Sequence, residues 1–346
     1  MIVRICDIQF KLWVGREERN DDNPHKDRGL TVATAPFPAG PVAMLVTPFR
    51  NDWSVDIPAL ARVAELAIEQ GARGLAVHGL ASEGYMLTDA ERAAIIACVA
   101  EVDRTGFVLA GVDHESTAGS VALARMAAEA GATALMAMPP KSSGGELGRL
   151  VDHFAEVEQQ SNLPIVVQDA PRASGIGMDV DTLTQVVRAL GLTSAIKVED
   201  ALPPLKIARL MAAAPGGRTA LYGGAGGRRF LAELDAGAIG TMVGPAYIDA
   251  FAELQALHGG DRGAAASMFE AMLPLLTAVD GNEWYALVQK ALLHRAGVIA
   301  NPGLRPPAFV PPLAYLDGLV AQIAEAARRY PRIGAALGLN TMEGAA

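Results

Sequence analysis

The sequence predicts a (β/α)8 barrel with a helical appendage at its C-terminal end, and three observations carry that expectation. Three segments repeat one design: "GARGLAV" from Gly71, "GATALMA" from Gly131 and "GAIGTMV" from Gly237. Each follows an alanine-rich helical pattern and enters an apolar run, so its glycine serves as the left-handed cap that ends a helix and opens a strand. Eight such apolar runs start roughly 20 to 35 residues apart with helical patterns between them, the rhythm of βα units. The runs are almost wholly apolar and rich in small residues, as a parallel sheet covered on both faces requires. A doubly wound sheet is the alternative, but eight units without a glycine-rich dinucleotide turn after the first strand favour closure.

Along the chain, residues 1–38 begin with alternating Ile2, Val3, Ile5 and Ile8 and then become highly charged, so they are read as an extension outside the main fold. The barrel is expected over residues 39–260. Its strands are placed at 42–47, 75–78, 107–112, 135–138, 165–168, 195–198, 220–222 and 241–244. Three further helical patterns, at 263–278, 284–296 and 313–337, form the appendage over residues 261–337, with five prolines from Pro302 to Pro312 breaking the chain before the last. Residues 338–346 are a tail.

The 346 residues, 51% of them hydrophobic, suffice to bury one barrel-sized core. A net charge of -9 without basic runs leaves no electrostatic footprint for a phosphate backbone, so the expected partner is a small molecule and not nucleic acid. Cys6 and Cys98 are too far apart in sequence to suggest a disulfide framework or a thiolate metal site, which fits a reducing cytoplasm. No apolar run approaches the ~20 residues of a membrane span, and no signal-peptide pattern opens the chain.

In a barrel of this kind the chemistry stands at the C-terminal ends of the strands. Thr47 ends strand one, and His78 with "GLASEGY" ends strand two. Asp113, His114 and Glu115 follow strand three, "PPKSS" follows strand four, and Gln168 and Asp169 end strand five. Strand six carries Lys197 and Glu199, and strand seven runs into "GGAGGRR". An inward lysine in a dry barrel loses the solvation that favours its charge, so part of it becomes a free amine near neutral pH. Such an amine attacks a 2-oxo acid, and the resulting Schiff base is an electron sink that acidifies C3 and lets a bond at C4 break. Alternation puts residues 197 and 199 on one face, so a purely structural Lys197–Glu199 pair is the alternative. The scarcity of buried lysines and the clustering of polar groups at strand ends favour chemistry.

Ala81, Ser82 and Glu83, in the turn after strand two, offer N–H groups and a hydroxyl to a substrate carboxylate, against the plainer reading of an ordinary loop. Gly223 and Gly224 either close over the substrate tail or allow tight packing where strand seven turns. Lys141 either repels Lys197 or points to solvent. His114 is an acid or base near the substrate, or the cap of the next helix. A divalent ion held by His78, Glu83, Asp113, His114 and Glu115 is the alternative electrophile, but no HxH or HxxxH spacing supports it and Lys197 is a poor neighbour for a cation. His153, His258 and His294 lie in helical patterns and are assigned to surface or packing.

"GLASEGYMLTDAER" resembles the Gly-x-x-Gly-Glu-x-x-x-Leu-x-x-x-Glu segment of the dihydrodipicolinate synthase and N-acetylneuraminate lyase superfamily, with Ser82 at its second glycine and Glu83 at its glutamate. "AIKVED" is similar to its Ile-Lys-Glu segment, and "PVAMLVTPF" to its first strand. The resemblance spans roughly residues 40 to 330, with the parts in the right order. It implies a Schiff base on Lys197, no organic cofactor, a 2-oxo acid substrate and a homo-oligomer, commonly a tetramer. Two departures bear on the reaction. Family aldolases and synthases carry a tyrosine on strand five where this chain has Gln168, and a pair of tyrosines after strand four where it has Pro140 and Lys141. Aldol cleavage needs a base for the C4 hydroxyl, whereas elimination needs that hydroxyl protonated, so losing the tyrosine tilts the expectation toward dehydration.

"LMAMPP", "LPIVVQDAP", the Lys197-x-Glu199 pair, "LLP" and "GVIA" resemble the L-2-keto-3-deoxyarabonate dehydratase branch. That branch implies roles for Ser82, Glu83 and His114. It has a tyrosine where Lys141 stands and a Trp-Asp-Gly region where "GGAGG" stands, which leaves the sugar acid open. The expected reaction is loss of water from a 2-keto-3-deoxy sugar acid: Lys197 attacks C2, Ser82 holds the C1 carboxylate, Gln168 orients the substrate, and Glu199 or His114 carries protons. Pyruvate-dependent aldol chemistry is the enzymatic alternative, and a non-catalytic oxo-acid-binding barrel is the alternative of another class.

Overall fold

The computed structural model describes residues 37–213, 219–278 and 282–308, with single helical positions at 315, 318, 321 and 325. Residues 1–36 of the expected extension, most of the third C-terminal helical pattern and the tail lie outside the described residues.

Eight parallel strands close into a barrel in sequence order, each paired to the next and the last to the first. They are β1 (Val42–Met44), β2 (Gly74–Val77), β3 (Val108–Gly111), β4 (Ala134–Ala137), β5 (Ile165–Asp169), β6 (Ser194–Val198), β7 (Thr219–Gly223) and β8 (Gly240–Val243). The intervening helices are α1 (Ile57–Glu69), α2 (Asp89–Val102), α3 (Thr117–Glu129), α4 (Leu147–Ser161), the short α5 (Pro171–Ser174), α6 (Val180–Ala189), α7 (Pro203–Ala213) and α8 (Phe230–Asp235). After β8 come α9 (Ile248–Gly260), α10 (Arg262–Ala278) and α11 (Asn282–Arg295). The three repeated glycines sit at the helix-to-strand turns with φ of 95° (Gly71), 103° (Gly131) and 109° (Gly237), which is what their recurrence predicted. The first strand is shorter than expected; beyond it the Leu45 N–H still donates to the Ala76 carbonyl at 2.8 Å, and Thr47 Oγ1 donates to the Ser82 carbonyl at 2.6 Å.

Alternation along the strands sorts the core into two parts. Val42, Met44, Ala76, Leu109, Met136, Val166, Ala195 and Met242 fill the barrel interior. Residues of opposite parity, such as Ala43, Leu75, Leu135, Val167 and Ile196, pack beneath the helices. The floor is closed by Phe37 against Phe107, edge to face at 5.8 Å, and by Tyr222, whose hydroxyl donates to the Pro38 carbonyl at 2.5 Å. Phe37, inside the segment read as an extension, thus belongs to the core. Above this apolar plug the inward parity continues one pleat past Val166 and Ala195, to Gln168 and Lys197, which face each other in register.

The appendage is fastened to the barrel mouth by charge. Lys290 on α11 is fully buried, and its ammonium bonds the Glu83 carboxylate and donates to the Gly303 carbonyl at 3.0 Å. The other Glu83 oxygen accepts the Arg305 N–H at 2.9 Å, while the Arg305 guanidinium grips Glu91. Phe49 lies between the two cations, its ring centre 4.4 Å from Lys290 Nζ and 4.5 Å from the Arg305 guanidinium carbon. Burial pushes the Lys290 pKa down and Glu83 holds it up. No helix among the described residues is long and apolar enough to cross a membrane.

Removing one partner of a buried pair strands the other's charge. Lys290→Met is therefore expected to destabilise the protein by about 3–5 kcal/mol in urea unfolding, and adding Glu83→Gln should recover much of that loss. Additive losses in the double variant would show that the two groups are not coupled.

Candidate active site

A cavity of about 700 Å³ opens at the C-terminal ends of the strands. Its walls include Lys197 and Gln168 on β6 and β5, Glu199 just after β6, Ala81 after β2, Gly224 after β7, Glu233 on α8 and Tyr285 on α11. Arg172, Arg228 and Arg229 also line it.

Lys197, only 5% exposed, points inward by the alternation of β6 and stands above the apolar barrel interior. Its Nζ lies 3.3 Å from Glu199 Oε2, and the same oxygen accepts the Gln168 side-chain amide at 2.6 Å. The other Glu199 oxygen accepts the Ala225 N–H at 2.7 Å, so both oxygens are engaged. Burial pushes the Glu199 carboxyl up, but the Lys197 ammonium, the Ala225 N–H and the Gln168 amide outweigh it and hold the group below the usual carboxylate range. The β5–β6 edge is braced from outside: the Glu199 N–H donates to the Asp169 carbonyl at 2.8 Å, and Lys206 on α7 stands 2.6 Å from Asp169 and 2.9 Å from Asp200.

Glu233 behaves oppositely. It is 1% exposed, its Oε2 has no hydrogen-bond partner among the described residues, and burial together with the Glu199 charge pushes its pKa up to about 8 despite Arg229. At neutral pH it is an acid, while Glu199 is an anion; two carboxyls in one cavity have been given opposite protonation states by their surroundings. The paired glycines make this possible. A Cβ on Gly223 would collide with the Glu233 carboxyl, and one on Gly224 would meet Glu199 Oε1 at 2.5 Å. Their role visible in the structure is the close approach of these two carboxyl groups.

The other expected site residues divide. Ala81 lines the cavity. Ser82, next in the chain, is buried, with no hydrogen-bond partner on its hydroxyl among the described residues, and Thr47, three residues past β1, braces this turn. Glu83 faces the other way, into the Lys290 and Arg305 contacts. Lys141 is exposed and is not among the lining residues. His114 is exposed too and does not line the cavity; its Nδ1 accepts the Ser116 N–H at 3.0 Å, while Ser116 itself caps α3 by accepting the Gly119 N–H at 3.1 Å. His78 is buried at the end of β2 and driven by burial to a pKa of about 3, so it stays neutral. Asp113, pushed up to about 6 by burial, accepts the Met138 N–H at 2.7 Å. Among the described residues no three His, Cys, Asp or Glu side chains cluster closely enough to hold a metal ion.

Of the remaining histidines, His153 packs edge to face on Phe154, His258 pairs with Asp235, and His294 bonds the Ile299 carbonyl. Glu233 and Tyr285 are among the lining residues that the sequence reading missed. Glu233 carried a faint signal, a glutamate three residues after Phe230 on the buried face of its helix. Tyr285 carried none, since only the docking of α11 brings it to the site.

Comparison with known proteins shows a family and a fold. Residues 38–323 match the Dihydrodipicolinate synthetase family. The chain is 30% identical over 276 residues to 4-hydroxy-tetrahydrodipicolinate synthase of Bifidobacterium longum (strain DJO10A), covering 79% of this chain and 89% of the relative. It is 28% identical over 283 residues to L-2-keto-3-deoxyarabonate dehydratase of Azospirillum brasilense, covering 80% and 91%. The crystal structure of dihydrodipicolinate synthase from Rhodopseudomonas palustris superposes with a TM-score of 0.77 at 26% identity, covering 84% of this chain and all of that one.

A carboxyl whose pKa rises from 4.5 to about 8 on folding binds more protons in the native state, so its contribution is full below pH 4.5 and is lost as pH rises toward 8. The urea stability of the wild type should therefore fall relative to Glu233→Gln by about 1.4 kcal/mol per pH unit through that window and level off above it. Parallel pH profiles for the two proteins would place the Glu233 pKa in the ordinary range.

Proposed function

The chain belongs to the Dihydrodipicolinate synthetase family, and on that premise we propose that it is a Schiff-base lyase that removes water from a 2-keto-3-deoxy sugar acid. The observation that carries this reading is the pair of unlike carboxyls that line one cavity with Lys197, one held as an anion and one held as an acid, where the strand-five position is an amide. The relative from Azospirillum brasilense, a dehydratase by name, supports the same choice.

The proton ledger closes within the cavity. The Lys197 nitrogen bonds C2 of the 2-oxo acid, and the carbonyl oxygen leaves as water with two of the ammonium protons, giving a protonated imine. Glu199 takes one C3 proton, and the C3–H electron pair forms the enamine. That pair then becomes the C3=C4 double bond as the C4–O bond breaks and the departing hydroxyl takes the Glu233 proton. Water releases the unsaturated 2-oxo acid and restores Lys197. The proton gained by Glu199 equals the one lost by Glu233, so each turnover needs only an exchange between two groups that already feel each other's charge. The Leu80–Ala81 segment, with Ser82 next in the chain, would receive the C1 carboxylate, and Arg172, Arg228 and Arg229 give the walls the sign an acidic substrate prefers.

The name of the relative from Bifidobacterium longum favours a second reading, condensation of pyruvate with an aldehyde. Borohydride reduction with a 2-keto-3-deoxypentonate, followed by peptide mass analysis, should fix an adduct on Lys197, and Lys197→Ala should lose turnover by about 10³-fold or more. Consumption or release of pyruvate in place of dehydration would select the aldol reading. An active Lys197→Ala protein would end both.

A further inference from the structure

Tyr285 enters the cavity from outside the barrel. It stands on α11 one turn before Gln289 and Lys290, and the Lys290–Glu83 pair fixes where that helix lies over the mouth. The phenol oxygen accepts the Gly244 N–H at 2.6 Å. The Tyr247 hydroxyl is hydrogen-bonded to it as well. With the Gly244 N–H on one lone pair, the phenol still carries an O–H that it can give to a substrate in the cavity it lines. Gln289, four residues on, accepts the Ala246 N–H at 2.9 Å and holds the same loop.

The ring lies along the loop that anchors Glu199. A Cβ on Gly226 would meet the Tyr285 ring at 3.1 Å, and the preceding residue, Ala225, gives its N–H to Glu199. Burial pushes the phenol up to about 12, the Glu199 charge adding to it, so Tyr285 keeps its proton throughout the neutral range. On the facing side Gln168 and Lys197 are already committed to Glu199.

We propose that Tyr285 donates a hydrogen bond to the departing C4 hydroxyl of the substrate and so turns that oxygen's remaining lone pair toward Glu233. The inference rests on the dehydration described above. As the C4–O bond breaks, the electron pair goes with the oxygen, the Glu233 proton completes the water, and Tyr285 retains its own proton.

Tyr285→Phe removes only the hydroxyl, and three measurements on it decide the matter. On a 2-keto-3-deoxypentonate kcat should fall about 10²-fold or more while KM stays within about threefold. Borohydride trapping of pyruvate on Lys197 should match the wild type. Turnover of the 4-deoxy-4-fluoro analogue, whose leaving group departs as fluoride and needs no proton, should stay within about threefold of the wild type. An unchanged kcat on the hydroxyl substrate, equal losses on both substrates, or lost trapping in the variant would each overturn the role. A wild type that forms no Lys197 adduct would instead remove the Schiff-base reading on which the role rests.

Discussion

The buried pair of Glu83 and Lys290 is the contact on which the architecture of the site depends. Neither charge could remain inside alone, so the turn after β2 and the helix α11 are bound to each other wherever the protein is folded. The same pair commits Phe49 to its place between two cations and draws the Arg305 loop across the mouth. A barrel by itself would leave the cavity open on that side. With α11 docked, the C-terminal helices become a wall of the site, and the boundary between barrel and appendage no longer separates chemistry from support.

Inside the cavity the physics is one of unequal solvation. Lys197, Glu199 and Glu233 are all withdrawn from water, yet they are not equally compensated. Glu199 receives an ammonium, an amide and a backbone N–H, while Glu233 receives no partner on Oε2 and a like charge nearby. The difference fixes which carboxyl is base and which is acid before any substrate arrives. Gly223 and Gly224 are the geometric condition for it, since side chains there would displace one carboxyl or the other.

Much of this was legible in the sequence, because it is written locally. The three repeated glycines announced the helix-to-strand turns, and strand alternation put Lys197 and Glu199 on one face, with Gln168 at the end of another strand. What stayed hidden depends on contacts between distant parts of the chain. Glu83 sits in a motif that resembles a substrate-binding turn, and nothing near it in sequence says that its partners are Lys290 and Arg305. Gly223 and Gly224 read as a loop over the substrate because the carboxyls they admit arrive from two other elements. Glu233 and Tyr285 sit in ordinary helical patterns, and His114 differs from a proton carrier only through the local turn in which its ring nitrogen accepts the Ser116 N–H.

Glu83 and Lys290 lie 207 residues apart in the chain. Closing a loop of that length is among the most distant contacts the fold contains, and such contacts are the slow ones to form. The strand that carries Lys197 and the wall that bears Tyr285 are thus joined through a contact that spans most of the chain, and the cavity is finished only where the two ends of that span have met.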